Sequence, residues 1–87
     1  MKLSVEISMY AMKDDFYPAI DAFLADLHAA PGVEVRTSSL STQLFGDYDA
    51  VMDLLRQAMR TSFEHYGKAA FVTKFLQGDT RIATGYD

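Results

Sequence analysis

The sequence predicts an α+β domain in which a four-stranded antiparallel sheet carries two helices on one face. Three observations lead there. Period-two alternation of apolar residues recurs in four stretches, helical spacing recurs in two, and together they follow the order βαββαβ along the chain. That order is the ferredoxin-like arrangement.

The first strand is the clearest element. From Lys2 to Tyr10, Leu3, Val5, Ile7 and Met9 point one way, while Lys2, Ser4, Glu6, Ser8 and Tyr10 point the other, the mark of a half-buried strand. Asp14 and Asp15 are candidate caps for the helix that follows, and Phe16, Ile20, Phe23, Leu24 and Leu27 form its apolar stripe. Pro18 suits a first turn, where its missing N–H costs nothing, and Pro31-Gly32 ends the helix near Ala30.

Val33, Val35 and Thr37 alternate with Glu34, Arg36 and Ser38, giving a second strand. A turn near Ser38 and Ser39 leads into a third, in which Leu40, Thr42 and Leu44 alternate with Ser41, Gln43 and Phe45. Gly46 and Asp47 are expected to open a long helix with Val51, Leu54, Leu55, Ala58, Met59 and Phe63 on its apolar face and Gly67 at its end. Ala69 to Leu76 reads as the fourth strand and Gly78 onward as a tail.

In the fourth strand, Ala69, Phe71, Thr73 and Phe75 occupy one side and Ala70, Val72, Lys74 and Leu76 the other, so both sides are largely apolar. A strand of that kind is normally buried on both sides. Two helices cover only one face of the sheet, so the free face is expected to pack against a second subunit in a two-fold homodimer or a higher homo-oligomer.

The totals narrow the function. A chain of 87 residues is one domain, spanning 1–87, with 49% apolar and 23% charged residues, an ordinary globular balance. The net charge of -4, with no basic cluster, argues against a nucleic-acid partner. The chain contains no cysteine, which removes disulfides, thiolate catalysis and zinc-thiolate sites. The start, MKLSVEISMYAM, lacks the continuous apolar run of a signal peptide, and no stretch reaches membrane-spanning length. A cytoplasmic location without membrane insertion is the resulting expectation.

No catalytic constellation stands out. His28 and His65 fall near helix C-termini, where exposure is common and positive charge is favoured. With no third histidine and no cysteine, a metal site has little support. Asp47, Asp49 and Asp53 at the head of the second helix are explained by capping and dipole complementarity. There is neither a Gly-x-Ser-x-Gly elbow nor a glycine-rich phosphate loop. Met52 and Met59 fit the core stripe better than a binding surface, and Tyr10 and Tyr17 could stack on a ligand or cap the core.

One stretch is densely polar without being charged. Arg36-Thr-Ser-Ser-Leu-Ser-Thr-Gln-Leu-Phe-Gly46 holds five hydroxyl side chains and a carboxamide. A solvated hairpin accounts for that composition. So does a surface for a neutral heterocycle, because Ser, Thr and Gln both donate and accept hydrogen bonds.

Two blocks resemble the YkoF family of thiamine- and hydroxymethylpyrimidine-binding proteins. Ile7-Ser-Met-Tyr-Ala-Met-Lys-Asp-Asp-Phe-Tyr-Pro-Ala-Ile20 is similar to a family strand ending in Ser-Leu-Tyr-Pro-Met and running into a helix. Arg36 to Gly46 is similar to the family's Thr-x-x-(apolar)-Ser-Thr-x-(x)-x-Gly pattern, and the likeness extends in register over residues 4 to 79. Ala11 departs from it, standing where family members often have proline, and the chain holds one unit where the best-known member has two in tandem.

The resemblance implies a ferredoxin-like unit that binds the pyrimidine part of thiamine without altering it, as a carrier or in uptake and salvage. It implies a small-molecule ligand, no cofactor and no catalysis. On this reading Ser41, Thr42 and Gln43 supply polar contacts, Tyr10 an aromatic wall, and Glu6 a carboxylate for the ring or its amino group. Glu34 and Phe45 are nominated to neighbour the thiazolium cation. Ser41 and Gln43 share one sheet face and Thr42 takes the other, so the three cannot line one flat pocket. Two rival readings are a small cofactor-independent monooxygenase of the dimeric ferredoxin-like barrel type and a regulatory dimerisation module.

Overall fold

The computed structural model describes residues 1–82. Its elements are β1 (Lys2–Ala11), α1 (Tyr17–Ala29), β2 (Glu34–Thr37), β3 (Thr42–Asp47), α2 (Tyr48–Tyr66) and β4 (Ala69–Gln77). The strands form one antiparallel sheet in the order β2-β3-β1-β4. This is the expected βαββαβ architecture, ferredoxin-like and of the α+β class.

The core lies between one sheet face and the helices. Leu3, Val5 and Ile7 of β1 pack with Leu44 of β3, Phe23 and Leu27 of α1, and Val51, Leu55 and Ala58 of α2. Gly46 is required by a close approach, since an added Cβ would stand 3.2 Å from the Gly32 carbonyl oxygen and 3.3 Å from Val51 Cγ2. Gly67, with φ at 86°, ends α2 in a conformation that side chains resist, and its N–H closes on the Phe63 carbonyl.

Several boundaries depart from the sequence expectation. Asp14 and Asp15 do not cap α1, whose N-cap is Phe16 with no side-chain hydrogen bond. Leu40 is not on the strand's inner face but at the exposed tip of the connection from β2 to β3. Gly46 and Asp47 belong to β3 instead of opening α2. On α2 the buried stripe runs Val51, Leu55, Ala58, Ser62, and Phe63 lies half exposed with its ring edge-on to Phe71. The spacing 58, 62 continues the helical period better than 59, 63 once Val51 fixes the rotation.

The largest difference concerns β4. It is an edge strand, and none of its residues is fully buried within the chain. Val72 on the free face and Phe75 on the helix face are 63% and 52% exposed. Between β4 and α2 opens an apolar groove of about 670 Å³, floored by Ile7, Leu55, Met59, Phe63 and Phe75. Arg56, Arg60, Asp53 and Glu64 also line it, and neither histidine does.

The residues after β4 are also more ordered than a tail. Gly78 N–H donates to the Lys2 carbonyl, Ser4 Oγ donates to the Gly78 carbonyl and accepts from Thr80 N–H, and Arg81 reaches the ring of Phe45. The turn 78–82 thereby covers the β1–β3 part of the free face, where Ser4 and Phe45 are only 5% and 4% exposed. Residues 83–87, the end of the expected tail, lie outside the described residues.

Candidate functional site

Strand lengths create the first cavity. β1 has ten residues and β3 has six, and their register runs only from Lys2↔Asp47 to Ile7↔Thr42. Beyond Ile7, β1 continues to Ala11 paired with β4 alone. The β3-facing edge of Ser8–Tyr10 therefore meets the connection 38–41 across a gap instead of a strand. Backbone groups left outside a ladder need another partner, which makes such gaps receptive to polar ligands.

The gap holds a cavity of about 330 Å³, within the range of small-molecule sites. Met9, Ile20, Phe23 and Leu24 give it apolar walls, and Ser8, Tyr10, Thr37, Ser38, Ser39, Ser41 and Thr42 bring hydroxyls to it. Several of these hydroxyls are committed to structure. Ser38 Oγ accepts from the Leu40 and Ser41 N–H groups and donates to the Ser41 carbonyl, fixing the turn. Thr42 is buried on the helix side and shares a 3.2 Å hydrogen bond with Thr37 Oγ1, which meets His28 Nε2 at 2.9 Å. Ser41 Oγ points the other way and donates to Glu6 Oε2 at 2.9 Å. Among the described residues, Ser8, Ser39 and Tyr10 make no side-chain hydrogen bond.

A second, smaller cavity of about 160 Å³ lies on the free face under the 78–82 turn, lined by Ser4, Glu6, Gln43, Phe45, Lys74, Leu76 and Thr80. Its charges are balanced in pairs. Glu6 meets Lys74 at 3.6 Å, Glu34 meets Arg36 and Arg81, and Arg81 grips Asp79 through both guanidinium and backbone nitrogens. The hydrogen bonds from Arg81 hold the Asp79 carboxyl at about 2, well below the usual range, and Asp79 in turn raises the Arg81 pKa.

The structure thus separates the nominated residues. Tyr10, Ser41 and Thr42 line the first cavity; Glu6, Gln43 and Phe45 line the second; Glu34 stands at its rim through its bond to Arg81. The Ser41–Glu6 hydrogen bond is the bridge between them. Thr42 faces opposite to Ser41 and Gln43, as strand alternation required. Sequence reasoning missed Ser8, Ser39 and His28 around the first cavity. Ser8 was accessible by parity, since it lies two residues from Glu6 on the same face, whereas His28 comes from α1 and no spacing rule links it to Thr37.

The sequence profile described as the YKOF-related family matches residues 2–75. The chain belongs to this family. Among solved structures, this YkoF-related chain resembles a protein of Streptococcus pneumoniae at 20% identity and a TM-score of 0.84, with 95% of this chain and 93% of that one covered. It also resembles a Thermotoga maritima protein provisionally assigned to thiamine biosynthesis or salvage, at 16% identity and a TM-score of 0.76, covering 86% and 82% of the two chains. A domain of unknown function from Bacillus cereus is similar at 18% identity and a TM-score of 0.76, over 100% and 83%. These likenesses establish the fold. No curated protein matches the YkoF-related chain.

Proposed function

We propose that this YkoF-related chain, acting as a single unit over residues 1–87, binds thiamine or its hydroxymethylpyrimidine moiety without altering it. The role is that of a carrier in the cytoplasm, or in uptake and salvage. The observation that carries the reading is the cavity where β1 outruns β3, which combines apolar walls with the unbonded hydroxyls of Ser8 and Ser39 and the Tyr10 ring. An aminopyrimidine offers ring-nitrogen acceptors and an exocyclic amino donor, and hydroxyls match both. Ser41 would receive the amino group, with Glu6 behind it through their hydrogen bond, Thr42 and Ser8 would meet the ring nitrogens, and Tyr10 one ring face. Membership of the family and the likeness to the Thermotoga maritima protein support this reading. No helix among the described residues is long and apolar enough to cross a membrane.

Calorimetric titration with hydroxymethylpyrimidine tests it directly. Saturable binding is expected, with Ser41→Ala weakening it by roughly 1 to 3 kcal/mol, the range for a buried polar group that loses its partner. Gln43→Ala, in the second cavity, should weaken hydroxymethylpyrimidine less. A folded protein that gives no heat with either hydroxymethylpyrimidine or thiamine would refute the assignment.

We also propose a homodimer through the free sheet face. Its uncovered part presents Val72 and Tyr10, which are 63% and 56% exposed, and Leu76, 44% exposed, stands at the edge of the second cavity. Light scattering across a range of concentrations should report twice the monomer mass, and Val72→Asp should return it to the monomer.

A further inference from the structure

The groove between β4 and α2, about 670 Å³ in volume, shares only Ile7 with the cleft where β1 outruns β3 and nothing with the cavity under the 78–82 turn. Its size suits a small molecule. Phe63 and Phe75 stand 46% and 52% exposed along it, and Met52 and Met59 add thioether side chains that conform to irregular shapes. Thr73 is the one uncharged polar residue in its lining. An occupant carrying ring nitrogens or hydroxyls would therefore leave most of them without partners, whereas a hydrocarbon body would lose nothing on entering.

The rim supplies the charge. Arg56 and Arg60 both line the groove and stand four residues apart on α2, hence on one side of the helix and one turn apart. Like charges at that spacing repel. Asp53 and Glu64 lie within helical reach of them, but among the described residues neither arginine enters an ion pair. The other two arginines of the chain, Arg36 and Arg81, are both paired with carboxylates. Two open guanidinium groups at the lip of an apolar groove match one carboxylate, which accepts hydrogen bonds in forked geometry. Asp53 and Glu64 set the limit at a single negative charge, because a dianion would meet their repulsion.

We propose that the groove between β4 and α2 binds a free aliphatic monocarboxylate of medium chain length. Its carboxylate is held by Arg56 and Arg60, and its chain lies over Met59, Phe63 and Phe75. The net charge of -4 disfavours an anionic bilayer as the source of that carboxylate. The site is independent of pyrimidine binding in the cleft, and it stays open in a dimer formed through the free sheet face, because it lies on the helix side.

The test is an NMR titration of the full chain, labelled at its methionine methyl groups, with sodium octanoate, and with 1-octanol as the neutral control. Of the five methionines, Met52 and Met59 should shift saturably with octanoate while Met1, Met9 and Met12 hold still. 1-Octanol should bind at the same two methyls roughly tenfold more weakly, for want of the charged contact. Arg56→Gln combined with Arg60→Gln, both at exposed positions, should lower octanoate affinity to the level of octanol and leave octanol itself unchanged. Phe75→Ser should abolish saturation with both. Undiminished octanoate binding in the double variant, equal affinity for octanol and octanoate, absence of saturable shifts at Met52 and Met59, or shifts spread over all five methyls would each overturn the proposal. Recruitment to phosphatidylglycerol vesicles without a response to octanoate would assign the groove to a membrane surface and overturn it as well. Hydroxymethylpyrimidine, run in parallel, should move Met9, which walls the cleft, and leave Met52 and Met59 in place. Failure of the cleft and failure of the groove are thus read at different methyls.

Discussion

The two strands that flank β1 have similarly apolar sequences and opposite fates. β3 is buried on both sides, with Leu44 facing the helices and Phe45 lying under the 78–82 turn. β4 is left partly exposed on both sides, although Phe71, Phe75, Val72 and Leu76 make it as apolar as β3, and of these only Phe71 packs on the core. The difference comes from position in the sheet. β3 lies between β1 and β2, while β4 has one neighbour and only the edge of α2 above it. An apolar strand with a free edge is a surface for something else to cover.

Substitutions on β3 should be far costlier than the same kind of change on β4. Leu44→Ala, at a fully buried site, is expected to destabilise by about 2 to 5 kcal/mol, measured by urea unfolding. Gly46→Ala should cost roughly 1 to 3 kcal/mol, because the new methyl must push back the Gly32 carbonyl or Val51. Phe75→Ala should cost less than about 1 kcal/mol in the isolated chain, since half of its surface is already in water. A loss as large as that of Leu44 would mean that the β4 edge is covered in solution.

The smallest expected effect is at the turn that ties the end of β4 across to Phe45. Asp79 has its carboxyl held at about 2, against an ordinary 3.8, chiefly by its hydrogen bonds from Arg81. Its folded pKa is depressed, so its contribution to stability is present above 3.8 and lost as the pH falls from there towards 2. Asp79→Asn should flatten that part of the stability profile and lower stability modestly at neutral pH, where the contribution is fully present, with the two proteins converging in acid. An identical acid limb in the two proteins would show that the carboxylate and Arg81 are not paired in solution.

The candidate sites were legible in part. Alternation put Thr42 opposite Ser41 and Gln43, because two residues per repeat is a local property of an extended chain. The gap that makes the first cavity depends on where the β1–β3 register stops, and that is set by the turn at Ser38 and the seating of α1, which brings His28 to Thr37. The Arg81–Phe45 contact joins residues 36 positions apart in sequence through a turn that composition alone describes as a tail. Leu40 shows the opposite failure. Its alternation with Thr42 and Leu44 is real, yet the turn claims it and leaves it 90% exposed.

By itself the sequence determined the order βαββαβ, the inner faces of β1 and β3, the absence of thiol chemistry and the clustering of hydroxyls between Thr37 and Thr42. These follow from short-range periodicity and composition, which neighbouring residues impose on one another. Only the tertiary structure decided which apolar strand became the edge, where β1 would outrun its partner, and which cation would rest on Phe45. Each depends on how far apart in sequence the contacting groups lie, and no local preference reports the packing that brings them together.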